Sequence, residues 1–166
     1  DSPVDIGRVN SNAGDITLGN VRASAGLTIL SQGSGSISGN YLDTGGILSI
    51  NKTLGSGESA NFGYLSGNVV SITLGAGSGH ISAVNVSTGD FTFDATQSTE
   101  KNASHVFGNI SVSGTTNISL GHDNSLQFDQ LGFEPGVAYD WMGNVRDVTI
   151  TKGFGSSNIV ANGIAA

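Results

Sequence analysis

The sequence predicts an all-β protein, a parallel β-solenoid (β-helix) of about seven coils of 21–24 residues, with one aromatic insertion before the last coil. Three observations predict it. A short apolar signature at i, i+2 and i+5 recurs seven times, its successive starts 21, 23, 21, 24, 21 and 33 residues apart. An apolar–Ser/Thr–apolar triplet falls between successive signatures, and Gly/Ser/Asn turns separate the two. A fixed period in the twenties marks a solenoid, in which each coil buries its apolar face only by stacking on its neighbours.

In chain order the signature reads Ile16, Leu18, Val21; Ile37, Gly39, Leu42; Ala60, Phe62, Leu65; Ile81, Ala83, Val86; His105, Phe107, Ile110; Leu126, Phe128, Leu131; and Ile159, Ala161, Ile164. The triplets are Leu27-Thr28-Ile29, Leu48-Ser49-Ile50, Ile72-Thr73-Leu74, Phe91-Thr92-Phe93, Ile118-Ser119-Leu120 and Val148-Thr149-Ile150. Such alternation of β-branched and aromatic residues with hydroxyls is a half-buried strand, apolar side inward. The middle residues Thr28, Ser49, Thr73, Thr92, Ser119 and Thr149 are expected to form one outward column. Turns such as Gln32-Gly33-Ser34-Gly35 supply the corners, where glycine admits positive φ. Each coil is thus strand, corner, strand, corner. No stretch keeps a 3.6-residue period, and 26 glycines in 166 residues disfavour helix throughout. A longer beat of 44–45 residues links alternate coils, whose extra residues, 55–59 and 97–104, fall at solvent-facing corners.

The chain is expected to be a single domain, 1–166, with the insertion at 132–143. It begins with Asp1 and in mid-pattern, which reads as processing or excision from a longer repeat protein. Six Lys and Arg stand against thirteen Asp and Glu, a net charge of −7, so no basic stripe exists for nucleic acid. The cysteine count is zero, which rules out thiol chemistry and cysteine metal sites. An acidic surface poor in lysine and rich in Gly, Ser, Thr and Asn suits an extracellular setting and divalent cations. No apolar run reaches the ~18 residues of a membrane-spanning helix.

Asp90 and Asp94 bracket the Phe91-Thr92-Phe93 strand, while Asp123 and Asn124 form a corner with Asp129 nearby. Oxygen ligands at turns are what Ca²⁺ takes, so these five are the candidate calcium ligands, although Asp and Asn also favour turns for their own sake. The Gly-rich calcium nonapeptide is absent: the Gly45-Gly46 pair runs into Ile47 and Leu48. Five N-x-[S/T] sequons, at Asn51, Asn85, Asn102, Asn109 and Asn117, are candidate glycosylation sites in a composition that generates such triplets freely. Gly35-Ser36-Ile37-Ser38-Gly39 matches a nucleophile elbow in letters only, because Ile37 faces inward and no helix follows. His80, His105 and His122 fall at different coil positions and cannot stack into a metal column. The insertion carries Phe133, Tyr139, Trp141 and Met142, residue types enriched at interfaces, and is expected to cover an edge or present a contact.

Segments such as Ser71–Ser82 and Gly89–Ala95 resemble the Gly/Ser/Thr-rich repeat arrays of large bacterial surface-layer proteins and secreted adhesins. The resemblance covers 1–131 and, more loosely, 144–166, and it implies an extracellular structural role, often with calcium-assisted assembly. The last coil also looks like the strand–turn–strand repeat of curli-type subunits.

The expected function is therefore structural and non-enzymatic: a module of an extracellular surface layer, fibre or adhesin that assembles by end-to-end or lateral solenoid contacts. Its partners would be further repeats or other copies of itself, with no resident cofactor beyond Ca²⁺. The alternatives are a passive glycan- or receptor-binding adhesin module and a carbohydrate-active β-helix enzyme. The enzyme would need clustered acids or a basic residue in adjacent coils, and the basic residues at 8, 22, 52, 101, 146 and 152 are scattered.

Overall fold

Every strand in the computed structural model pairs parallel with strands about one coil away, and together they wind into a β-solenoid. The structure describes residues 8–11, 14–52, 59–77, 79–131, 147–156 and 158–164. Among the described residues there are twelve strands: β1 (Arg8–Ser11), β2 (Ile16–Ala23), β3 (Leu27–Ser31), β4 (Ile37–Thr44), β5 (Ile47–Lys52), β6 (Ala60–Leu74), β7 (Ile81–Asp94), β8 (Ser104–Val112), β9 (Thr116–Ser119), β10 (Ser125–Leu131), β11 (Val148–Thr151) and β12 (Ile159–Ile164).

They form two ladders. The first stacks β2, β4, the start of β6, the start of β7, β8, β10 and β12. The second stacks β1, β3, β5, the end of β6, the end of β7, β9 and β11. About five turns are described, slightly fewer than the seven coils expected. Each ladder does hold seven rungs, but a turn closes only when both its strands and both its corners are in place, and at the ends part of that lies outside the described residues.

The i, i+2, i+5 signature is the register of the first ladder: Ile16, Ile37, Ala60, Ile81, His105, Leu126 and Ile159 lie in one line. The third inward position comes at i+5 rather than i+4 because two consecutive residues turn outward between them, Gly19 and Asn20 in β2 and Val84 and Asn85 in β7. That extra residue bends the strand around the core. Along the second inward line Gly39, Phe62, Ala83 and Phe107 alternate in size, so the Phe62 ring fills space its small neighbours leave, and Phe128 then follows Phe107 directly. Phe107 meets Phe91 and Phe93 edge-on at 5.6 and 5.3 Å across the core.

The second ladder corrects the expected column. Its outward line runs Thr28, Ser49, Ser71, Thr92, Asn117, Thr149, while Thr73 and Ser119 belong to the next line with Leu30, Asn51, Asp94 and Thr151. A slip of two residues keeps every side chain on its own face, so alternation alone cannot distinguish the two registers.

The last four corners leading into the first ladder share a left-handed residue. Gly77 (φ 73°), Asn102 (φ 61°), Asp123 (φ 57°) and Gly155 (φ 103°) occupy it in four successive coils.

Candidate functional site

Of the acids named as calcium ligands, Asp90, Asp94 and Asp123 each brace a corner, whereas Asp129 lies within β10. Asp90 Oδ1 accepts the Thr115 N–H at 2.8 Å and its hydroxyl at 3.0 Å, which holds its carboxyl below the usual range. Asp94 Oδ1 accepts the N–H and hydroxyl of Thr96 at 2.9 and 2.7 Å. Asp123 Oδ1 accepts the Ser156 N–H at 2.7 Å and its Oδ2 accepts from His122 Nδ1 at 2.8 Å. Those two bonds, the backbone one foremost, lower its pKa. Asp129 accepts from Asn162 Nδ2 at 3.2 Å on the outer face of the first ladder. Asp15 repeats the device, accepting the Ser36 N–H at 2.8 Å. In Asp15, Asp90 and Asp123 the carboxylate satisfies a backbone amide one coil further on.

A shared Ca²⁺ cage would need these residues to converge, and they do not. Asp90 and Asp94 lie at opposite ends of the Phe91–Phe93 strand, roughly 13 Å apart at about 3.3 Å per residue. Asp129 is on a different ladder from both. No group of three or more His, Cys, Asp or Glu gathers among the described residues.

Asn124 is fully buried and serves the core. Its Oδ1 accepts from Nε2 of His105 at 2.9 Å, while its Nδ2 donates to the carbonyls of His122 (2.8 Å) and Glu100 (3.4 Å). Because Asn124 spends its donors on carbonyls, His105 must carry its proton on Nε2. His105 Nδ1 has no hydrogen-bond partner among the described residues. His105 is fully buried, packed edge-on to Phe93 at 4.9 Å. Burial pushes its pKa down to about 4, against the Asn124 bond, with His80 adding a smaller push in the same direction. His80 itself caps a corner, its Nδ1 accepting the Ser104 N–H at 2.9 Å.

The sequons divide by environment. Asn102 is exposed at the left-handed corner and Asn117 is exposed on β9, whereas Asn51 is half-buried and donates to Ser49 Oγ at 3.0 Å. Asn85 and Asn109 are neighbours in register, joined by a 3.2 Å bond from Asn109 Nδ2 to Asn85 Oδ1. Ser38 lies inside β4, its Oγ 3.4 Å from Thr17 Oγ1. Phe133, Tyr139, Trp141 and Met142, with the insertion that carries them, lie outside the described residues.

Sequence reading missed the outer strip at position i+4 of the signature. There Asn20, Tyr41, Tyr64, Asn85, Asn109 and Gln130 follow one another rung by rung. Tyr41 and Tyr64 stack with centroids 4.8 Å apart and planes 7° from parallel. Arg22, paired to Asp43 at 3.3 Å, reaches over the Tyr41 ring, 5.9 Å from its centroid. The sequence does carry a signal for it, since the two tyrosines share the same offset from successive signature starts.

No protein-family model, no curated protein and no solved structure matches the chain.

Proposed function

We propose that the chain is a structural module of an extracellular surface layer, fibre or adhesin, of the bacterial kind its repeats resemble, which assembles by stacking solenoid on solenoid. The observation that carries this reading is the exposed apolar side of β12 and its approach, among the described residues. Ile159, Ala161 and Ile164 continue the lines of Leu126, Phe128 and Leu131, which are buried. Yet Ile159 and Ile164 are 40% and 49% exposed. Val160 and Phe154 of the same coil are exposed as well. β11 and β12 each pair on one side only among the described residues, so a row of backbone donors and acceptors faces along the axis. A further parallel strand would cover both at once. Completing the burial of two half-exposed isoleucines contributes roughly 2 kcal/mol, before the ladder hydrogen bonds, on a scale of about 1.5–3 kcal/mol per side chain. The acidic, charge-poor, cysteine-free composition is consistent with a role outside the cell that relies on ladder stacking instead of disulfides.

Negative-stain electron microscopy and sedimentation, each with calcium and with a chelator, test this. Filaments or sheets that shorten in an Ile159→Lys/Ile164→Lys double variant are expected. Monodisperse short rods in both conditions would refute self-assembly.

A further inference from the structure

The strip at i+4 changes height abruptly, and the step makes a site. Tyr41 and Tyr64 stack along the solenoid axis at the rung spacing, so their ring planes lie across the axis. Tyr41 covers one face of Tyr64. The next two rungs carry Asn85 and Asn109, whose side chains are far shorter than a phenol. The other face of Tyr64 therefore walls a hollow of about 260 Å³, lined also by Asn85, Val86, Ser87, Asn109 and Ser111. Val86 and Ser111 are buried and form the floor, while Tyr64, Asn85 and Ser87 are half-buried and Asn109 exposed.

The polar groups are arranged around that face. The Asn109-to-Asn85 bond uses one N–H and one carbonyl, leaving the Asn85 carboxamide N–H groups and Asn109 Oδ1 free to bind. Ser87 and Ser111 add two hydroxyls that both donate and accept. Among the described residues no carboxylate, lysine, arginine or histidine lines the hollow. Arg22 lies behind Tyr41 and is paired with Asp43. With a net charge of −7 on the chain, an anionic ligand is disfavoured.

We propose that the hollow beside Tyr64 is a binding site for a neutral carbohydrate, one sugar ring laying its C–H face on the tyrosine while its hydroxyls bond to Asn85, Asn109, Ser87 and Ser111. An aromatic wall with convergent amides and hydroxyls and no charge matches a ligand that is apolar on its faces and hydroxylated at its edge. A nucleotide would also stack, but nothing in the hollow neutralises a phosphate. The site spans β6, β7 and β8 on the outer face and ends two rungs short of β12, so it is separate from the apolar side of β12 that end-to-end stacking would use.

The test is an NMR titration of the full chain with cellopentaose, maltopentaose and chitopentaose, and with adenosine as the stacking control. At least one pentasaccharide is expected to saturate with a Kd on the order of 1 mM and to shift the carboxamide resonances of Asn85 and Asn109. Tyr64→Ala should weaken that binding at least about tenfold and Tyr64→Phe should preserve it, because the ring face is the contact. Asn85→Tyr, which extends the tyrosine column into the hollow, should abolish binding while circular dichroism and sedimentation stay those of the parent. Absence of shifts from all three sugars at about ten times that concentration, adenosine binding alone, or full affinity in Asn85→Tyr overturns the proposal. Because sedimentation is read on the same samples, failure of the sugar site and failure of assembly register separately.

Discussion

Lowering the pH should strip stability from this protein through one buried residue, His105. In the unfolded chain its imidazole takes up a proton near 6.5, but in the fold that requires pH of about 4. Between those values the unfolded state binds a proton that the folded state refuses, so stability falls as pH falls. The loss begins just below 6.5, is complete near 4, and at 1.36 kcal/mol per pH unit reaches about 3 kcal/mol. That is a large share of the roughly 5–15 kcal/mol by which domains of this size are stable. The geometry supplies the cause: the ring has no solvent exposure, Nε2–H is committed to Asn124 Oδ1, and a proton on Nδ1 would find no acceptor. The assay is urea unfolding of the wild type and of His105→Gln from pH 7.5 to 4. Glutamine keeps an N–H near Nε2 for Asn124 but cannot ionise. Asp90 and Asp123, whose depressed pKa values withdraw stability only as pH falls below the ordinary carboxylate range, are common to both chains and cancel in the difference. The gap between wild type and variant should therefore change by about 3 kcal/mol across that window. A gap independent of pH, or an NMR titration placing His105 near 6.5, would refute the reasoning.

Phe107→Ala should cost about 3–5 kcal/mol, read as a shifted urea midpoint with an unchanged slope, because the ring is fully buried between Phe91 and Phe93. Lys52 is 1% exposed and its Nζ donates to the Gly35 carbonyl at 2.6 Å, so amine-reactive labelling read by mass spectrometry should modify exposed Lys101 and Lys152 and spare Lys52 until the chain is unfolded. Gly46→Ala should destabilise by about 1–3 kcal/mol in the same urea assay, since an added Cβ would overlap the carbonyl oxygen of Ala25 in the preceding corner and backbone must move.

The solenoid was legible because its core is written in a local code. An apolar residue every second position, with one extra residue at each bend, places Ile16, Ile37 and Ala60 in one line without reference to anything distant. The candidate site was less so. Asp90 and Asp123 stand out in the sequence as carboxylate oxygens at turns, but that each accepts a backbone amide one coil further on is written in no local pattern. His105 in an inward position was visible; that Asn124 would meet it from nineteen residues away was not.

The sequence by itself determined the class of fold, the inward lines of the first ladder and the face on which each strand residue lies, since these follow from side-chain alternation within a few residues. Tertiary structure alone decided which rung meets which in the second ladder, moving Thr73 and Ser119 one column over. It also decided that acids serve corners one coil away, and that two tyrosines stack above two asparagines to leave a walled hollow. The physical reason is common to all three. They are contacts between coils, at separations of twenty residues or more, and their register is fixed by corner length and core volume rather than by the alternation that the sequence displays.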